Sequence, residues 1–122
     1  MMNLNNRVML ITGAGTGLGK ALALVAGQAG AKVICAGRRK DKIQQTADEV
    51  TKAGGMGTAI EMDVTDGKSI EKGLKLAAKV GPIEILFNNA GIITGLKAVQ
   101  DLPVEEWDKI MATNVRGPYL LI

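Results

Sequence analysis

Short apolar runs alternate with amphipathic patterns along the whole chain. Four runs have the continuous apolar character of buried strands, and they cover residues 8–12, 32–36, 58–62 and 83–87. In the segments that follow these strands, apolar residues recur at spacings of three and four, which indicates one face of a helix. In the first helix, which ends near Gly30, this apolar face consists of Leu18, Leu22, Val25 and Ala29.

Glycine and proline mark the boundaries of the remaining helices. Gly54-Gly55 ends the second helix, Gly81-Pro82 ends the third, and Pro103 is predicted as the first residue of a fourth. The resulting order is βαβαβαβα. Apolar strands between amphipathic helices predict a parallel sheet covered on both faces, and right-handed crossovers make it doubly wound. We therefore predict an α/β fold, a Rossmann-like doubly wound parallel sheet, over residues 1–122.

The end of the chain has no helix-ending signal. The final residues, 119–122 (YLLI), fall inside the predicted fourth helix, with no glycine, proline or cap. A natural domain rarely stops in an uncapped apolar helical turn. We therefore expect an incomplete domain, truncated after the fourth strand and fourth helix.

Composition excludes several classes of function. The net charge of +3 is too small to indicate nucleic-acid binding, and no apolar run approaches the roughly 20 residues of a membrane span. The chain has no histidine, which excludes histidine-based catalysis and most metal sites. A single cysteine, Cys35, permits no disulfide within the chain. A reducing compartment follows as the default, so we predict a cytoplasmic protein.

A glycine-rich segment, TGAGTGLG at residues 12–19, joins the first strand to the first helix. A P-loop is disfavoured because Ala14 stands at its leading glycine and Ala21 at its magnesium-binding hydroxyl. The dinucleotide pattern G-x-G-x-x-G fails at its third glycine, where the chain has Leu18. The pattern T-G-x-x-x-G-x-G matches without a mismatch.

This last pattern resembles the glycine motif of the short-chain dehydrogenase/reductase family. The resemblance recurs in order along the chain, with Asp63-Val64 after the third strand, NNAG at 88–91 after the fourth, and Asn114 in the fourth helix. It implies an NAD(P)-dependent oxidoreductase that transfers hydride between the cofactor and a small-molecule carbonyl or alcohol substrate. It also implies a homo-oligomer in the full-length form.

The resemblance assigns a role to each motif. Backbone N–H groups of the glycine loop and the helix N-terminus bind the pyrophosphate. The carboxylate of Asp63 contacts the adenine amino group, the NNAG segment approaches the cofactor ribose, and Asn114 helps to hold an ordered water in a proton relay. The cofactor-binding residues implied in this way are Gly13, Gly15, Thr16, Gly17, Leu18, Gly19, Asp63, Val64, Asn89, Ala90 and Gly91.

The end of the second strand predicts which cofactor is preferred. NAD binders place Asp or Glu about 20 residues beyond the glycine loop, whereas NADP binders place Arg there. Arg38 lies 21 residues past Gly17, and no acid precedes it in the strand. A guanidinium fork suits the 2′-phosphate, and the small Gly37 leaves room for it. We therefore predict that NADP(H) is favoured over NAD(H).

The catalytic residues that the family uses later in its fold are not found in these 122 residues. The resemblance implies a serine after a fifth strand and a Tyr-x-x-x-Lys on the next helix. Ser69 precedes the NNAG segment, and Tyr119 is read as part of the apolar helix. Two functions stay open: the N-terminal part of an NADP-dependent reductase that by itself lacks turnover, or a non-catalytic module that binds a nucleotide or a partner.

Overall fold

Four parallel strands form the sheet in the computed structural model, which describes residues 2–122. They are β1 (Val8–Thr12), β2 (Lys32–Gly37), β3 (Met56–Glu61) and β4 (Ile85–Phe87). The order across the sheet is β3-β2-β1-β4, and all three pairings are parallel. Within residues 2–122, β4 pairs with β1 alone, and Phe87 is 46% exposed at this edge.

Helices follow each strand, as the apolar spacing predicts. They are α1 (Gly17–Gln28), α2 (Lys40–Lys52), α3 (Gly67–Ala77), α4 (Val104–Met111) and α5 (Gly117–Leu121). A π-helical stretch, Ala112–Arg116, joins α4 to α5, so the predicted fourth helix is one run with a wider turn inside it. Pro103 lies one residue before α4, in an extended conformation, rather than at its first helical position.

The two faces of the sheet carry separate apolar cores. Alternate residues of β1 point to opposite sides, as the two-residue period of a strand requires. Ile11 and Cys35 pack with α1 and α2 on one side, and Leu10, Ile34 and Ile70 pack on the other, where α3 lies. This arrangement confirms the predicted doubly wound, Rossmann-like α/β fold.

The apolar face predicted for α1 is wrong at two positions, Leu18 and Val25, whereas Leu22 is partly buried and packs against the core. Leu18 is 83% exposed and Val25 is 49% exposed. The side of α1 that faces the core is made of small residues, because the helix lies too close to its neighbours for large ones: a Cβ on Gly27 would stand 2.9 Å from Cγ1 of Val50 in α2. The buried residues of α1 are Gly19, Ala23, Ala26 and Gly27.

Strand β3 begins earlier than its apolar run predicts. It starts at Met56, directly after the glycines that end α2, and includes Gly57. A Cβ at Gly57 would lie 2.0 Å from the carbonyl oxygen of Ala47, so α2 contacts the strand backbone directly. The strand has a glycine at this position because a residue with a side chain would not fit under the helix.

The burial of Cys35 predicts a pH dependence of stability. Its side chain is fully buried, and burial raises the pKa of the thiol from 9.0 to about 12. Below pH 9 the thiol is protonated in both the native and the unfolded states, so its burial contributes fully to the free energy of unfolding. As the pH rises from 9 towards 12, the thiol ionises in the unfolded chain first, and this contribution is lost. We expect the free-energy difference between wild type and Cys35→Ala to fall by about 1.4 kcal/mol per pH unit in this interval. Urea unfolding at pH 8, 9 and 10 measures it, and a difference that does not change with pH would contradict it.

None of the helices within residues 2–122 has the length and apolar character needed to cross a membrane.

Candidate functional site

A cleft of about 240 Å³ opens at the carboxyl ends of the four strands, where the loops after β1, β2, β3 and β4 meet. Ligands of open parallel sheets bind at this edge, beside the point where the strand order reverses, which here lies between β1 and β4. The cleft brings most of the predicted cofactor-binding residues together. Those that line it are Gly13, Gly15, Thr16, Arg38, Asp63, Val64, Asn89, Ala90 and Gly91.

Four predicted residues lie outside the cleft lining. Leu18 is exposed on α1, and Gly17 supports the turn that starts the helix, with φ of 56°. Gly19 is buried against the loop, because a Cβ there would lie 2.2 Å from the carbonyl oxygen of Gly13. The fourth, Asn114, lies on the π-helical stretch. Gly17 and Gly19 thus shape the loop rather than line the cleft.

The N-terminal end of α1 lies beside the cleft, because Thr16, the residue before the helix, lines it. The side chain of Thr16 does not cap the first turn. The first N–H groups of a helix have no partner inside the helix, and the dipole makes this end positive. The local arrangement therefore suits an anionic group such as a phosphate.

A buried threonine joins the glycine loop to the segment after β4. The hydroxyl of Thr12 accepts hydrogen bonds from the backbone N–H groups of Asn89 (3.1 Å) and Ala90 (3.0 Å). The side-chain amide of Asn89 donates to the carbonyl oxygens of Thr12 (3.1 Å) and Gly13 (3.2 Å). Sequence reasoning did not single out Thr12 as a site residue, although it is the first letter of the matched motif.

Three cations stand at one end of the cleft. Arg38 and Arg39 follow β2, and Lys42 extends from the first turn of α2. Only Arg38 was predicted as a binding residue. Lys42 lies beside the glycine loop, since a Cβ on Gly15 would be 2.9 Å from its Cβ. The cluster of basic residues in the sequence could have indicated Arg39 and Lys42 as binding residues. It would also have indicated Lys40, which instead pairs with Glu61 at 3.2 Å.

Asp63 is the one carboxylate lining the described cleft, and its neighbours hold it in place. The Thr65 hydroxyl donates to Oδ1 of Asp63 at 2.7 Å, and the Thr65 backbone N–H donates to the same oxygen at 2.9 Å. The hydroxyl bond is the main cause that lowers the pKa of Asp63. The backbone N–H of Asp63 donates to Oγ of Ser69 at 2.8 Å, which gives Ser69 a structural role.

Asn114 contacts the loop after β4 through both atoms of its amide. Oδ1 accepts from the backbone N–H of Ile92, and Nδ2 donates to the Ile92 carbonyl oxygen, each at 2.8 Å. Ile92 lines the cleft, whereas Asn114 itself does not. The π-helical turn around Asn114 is a feature that often marks functional positions in helices. The structure thus connects Asn114 to the cleft through the backbone of Ile92.

Comparison with known proteins identifies a family. Residues 7–122 match the family described as short chain dehydrogenase. An uncharacterized oxidoreductase of Bacillus subtilis is 38% identical over 121 residues, which is 98% of this chain and 44% of that protein. The chain therefore spans about half the length of the curated relatives it matches.

Solved structures share the fold closely. A short-chain type dehydrogenase/reductase from Mycobacterium marinum is 40% identical with a TM-score of 0.91, over 98% of this chain and 48% of that one. A 3-ketoacyl-(acyl-carrier-protein) reductase from Brucella melitensis, solved in complex with NADH, is 35% identical with a TM-score of 0.89, over 98% and 48%. The fold described above therefore corresponds to about half the length of each of these solved proteins.

Proposed function

We propose a function from the premise that the chain belongs to the short-chain dehydrogenase family, which residues 7–122 match. The proposed function is to bind NADP(H), in preference to NAD(H), in the cleft at the carboxyl ends of the strands. The observation that carries this proposal is the position of Arg38, directly after β2 on the cleft wall, with no acid at the end of that strand.

The residues of the cleft fit the parts of such a dinucleotide. The N–H groups at the start of α1 suit the pyrophosphate, and Arg38 suits the 2′-phosphate. Oδ2 of Asp63 receives no hydrogen bond within residues 2–122, so it is free to accept one from the adenine amino group. Gly91 lines the cleft where the ribose would approach, and a Cβ there would lie 3.4 Å from Oδ1 of Asn114.

The proposed reaction of the whole protein is hydride transfer between NADP(H) and a small-molecule carbonyl or alcohol. The cofactor supplies the hydride when bound. Asn114 contributes by holding a water of the proton relay, and residues 1–122 alone bind cofactor without turnover, because they contain no Tyr-x-x-x-Lys. We also propose that the whole protein is cytoplasmic and forms a homo-oligomer.

Binding of the adenosine half of the cofactor tests this function. We expect the chain of residues 1–122 to bind adenosine 2′,5′-bisphosphate about 30-fold more tightly than 5′-AMP, because a charge-assisted contact to the 2′-phosphate adds about 2 kcal/mol. Isothermal titration calorimetry measures both affinities. Equal affinities would contradict the NADP(H) preference, and no binding of either ligand would contradict the site.

A further inference from the structure

The loop after β3 is held from two sides. From within the loop, the hydroxyl and the backbone N–H of Thr65 both donate to Oδ1 of Asp63, at 2.7 and 2.9 Å. From outside, a guanidinium N–H of Arg116 donates to the carbonyl oxygen of Thr65 at 2.6 Å. Arg116 is the last residue of the π-helical stretch that carries Asn114. A chain of contacts therefore runs from that helix, through Thr65, to the carboxylate in the cleft.

The helical segment at Arg116 and Gly117 packs closely against the loop after β3, and this packing fixes the position from which Arg116 reaches the loop. A Cβ on Gly117 would lie 2.8 Å from the carbonyl oxygen of Val64, so the helix backbone packs directly on the loop backbone. The guanidinium group of Arg116 then reaches the next carbonyl group along the loop. The Thr65 backbone is thus positioned by a second element of the fold as well as by its own turn.

We propose that Thr65 is a positioning residue that orients the Asp63 carboxylate for an adenine amino group, and that Arg116 holds Thr65 in place. Both donors of Thr65 occupy Oδ1, so the carboxylate presents Oδ2 to a ligand. An acceptor oxygen in this position distinguishes adenine, whose 6-amino group donates, from hypoxanthine, whose 6-oxo group accepts and is repelled. This inference rests on the proposed nucleotide-binding function and adds the residues that set its base specificity.

The test compares NADPH with its deamino analogue, which carries hypoxanthine in place of adenine. Isothermal titration calorimetry on the full chain gives the affinity ratio for wild type, Thr65→Val, Thr65→Ser and Arg116→Ala. We expect Thr65→Val to reduce the preference for NADPH about tenfold, as loss of a hydrogen bond to a charged group predicts. Thr65→Ser keeps the hydroxyl and should restore the ratio, and Arg116→Ala should lower it about threefold.

An Asp63→Asn variant separates the two levels of the proposal. An amide at this position can donate to the 6-oxo group, so this change should abolish the preference for NADPH. If Asp63→Asn changes the ratio and Thr65→Val does not, the positioning role of Thr65 is wrong while the proposed function stands. If Asp63→Asn leaves the ratio unchanged, the adenine contact in the proposed function is wrong. A ratio that Arg116→Ala leaves unchanged would remove Arg116 from the mechanism.

Discussion

Gly19→Ala is expected to destabilise the protein by about 3 kcal/mol, near the upper end of what overpacking usually costs. The added Cβ would lie 2.2 Å from the carbonyl oxygen of Gly13 and 2.5 Å from Nδ2 of Asn89. The first neighbour is backbone and cannot rotate away, so α1 must move off the glycine loop. Domains of this kind are stable by only about 5–15 kcal/mol, so the loss is a large part of the total.

Gly67→Ala provides the matched control for this prediction. Gly67 is the first residue of α3, and a Cβ there would meet no atom within 4 Å. We expect this variant to be as stable as wild type or slightly more stable, because alanine lowers the entropy of the unfolded chain. Urea unfolding followed by circular dichroism measures both variants. Equal stability of Gly19→Ala and Gly67→Ala would show that the close approach of α1 to the loop is not needed.

Arg38→Asp is expected to reverse the cofactor preference that we propose. The substitution removes the cation that faces the 2′-phosphate and leaves an acid that repels it. By analogy with truncated charge pairs in interfaces, affinity for NADPH should fall by about 2–5 kcal/mol, which is about 30-fold or more. Affinity for NADH should be kept or improved, because a carboxylate accepts a hydrogen bond from the ribose 2′-OH.

The same change of charge at the far end of α2 is the control. Lys52 is the last residue of α2, about 18 Å from its first turn at 1.5 Å per residue. We expect Lys52→Asp to leave the ratio of NADPH to NADH affinity unchanged, since exposed charges at this distance are screened. Fluorescence titration of the two reduced cofactors measures the ratio. An unchanged ratio in Arg38→Asp would assign the 2′-phosphate to Arg39 and Lys42 instead.

Sequence pattern alone was enough to predict the strands and their order of appearance. The apolar run of β1 has the predicted bounds, Val8–Thr12, because a strand buried on both faces must be apolar at every position. The glycine loop was predicted for a similar reason. The loop needs backbone torsions that glycine readily adopts, and it needs small residues at fixed spacings. The sequence shows directly where those glycines and small residues stand. Gly13, for example, has φ of 65°, which favours glycine.

The face of α1 and the connections of the site were decided only in three dimensions. Leu18 has the right spacing for a core residue, yet it is exposed, and the residues of α1 that are fully buried against the loop, the sheet and α2 are all glycine or alanine. The hydroxyl of Thr12 meets the segment after β4 across 77 residues of sequence, and Arg116 reaches Thr65 across 51. No local pattern encodes such pairs, because they exist only once parallel strands bring their carboxyl ends to one edge.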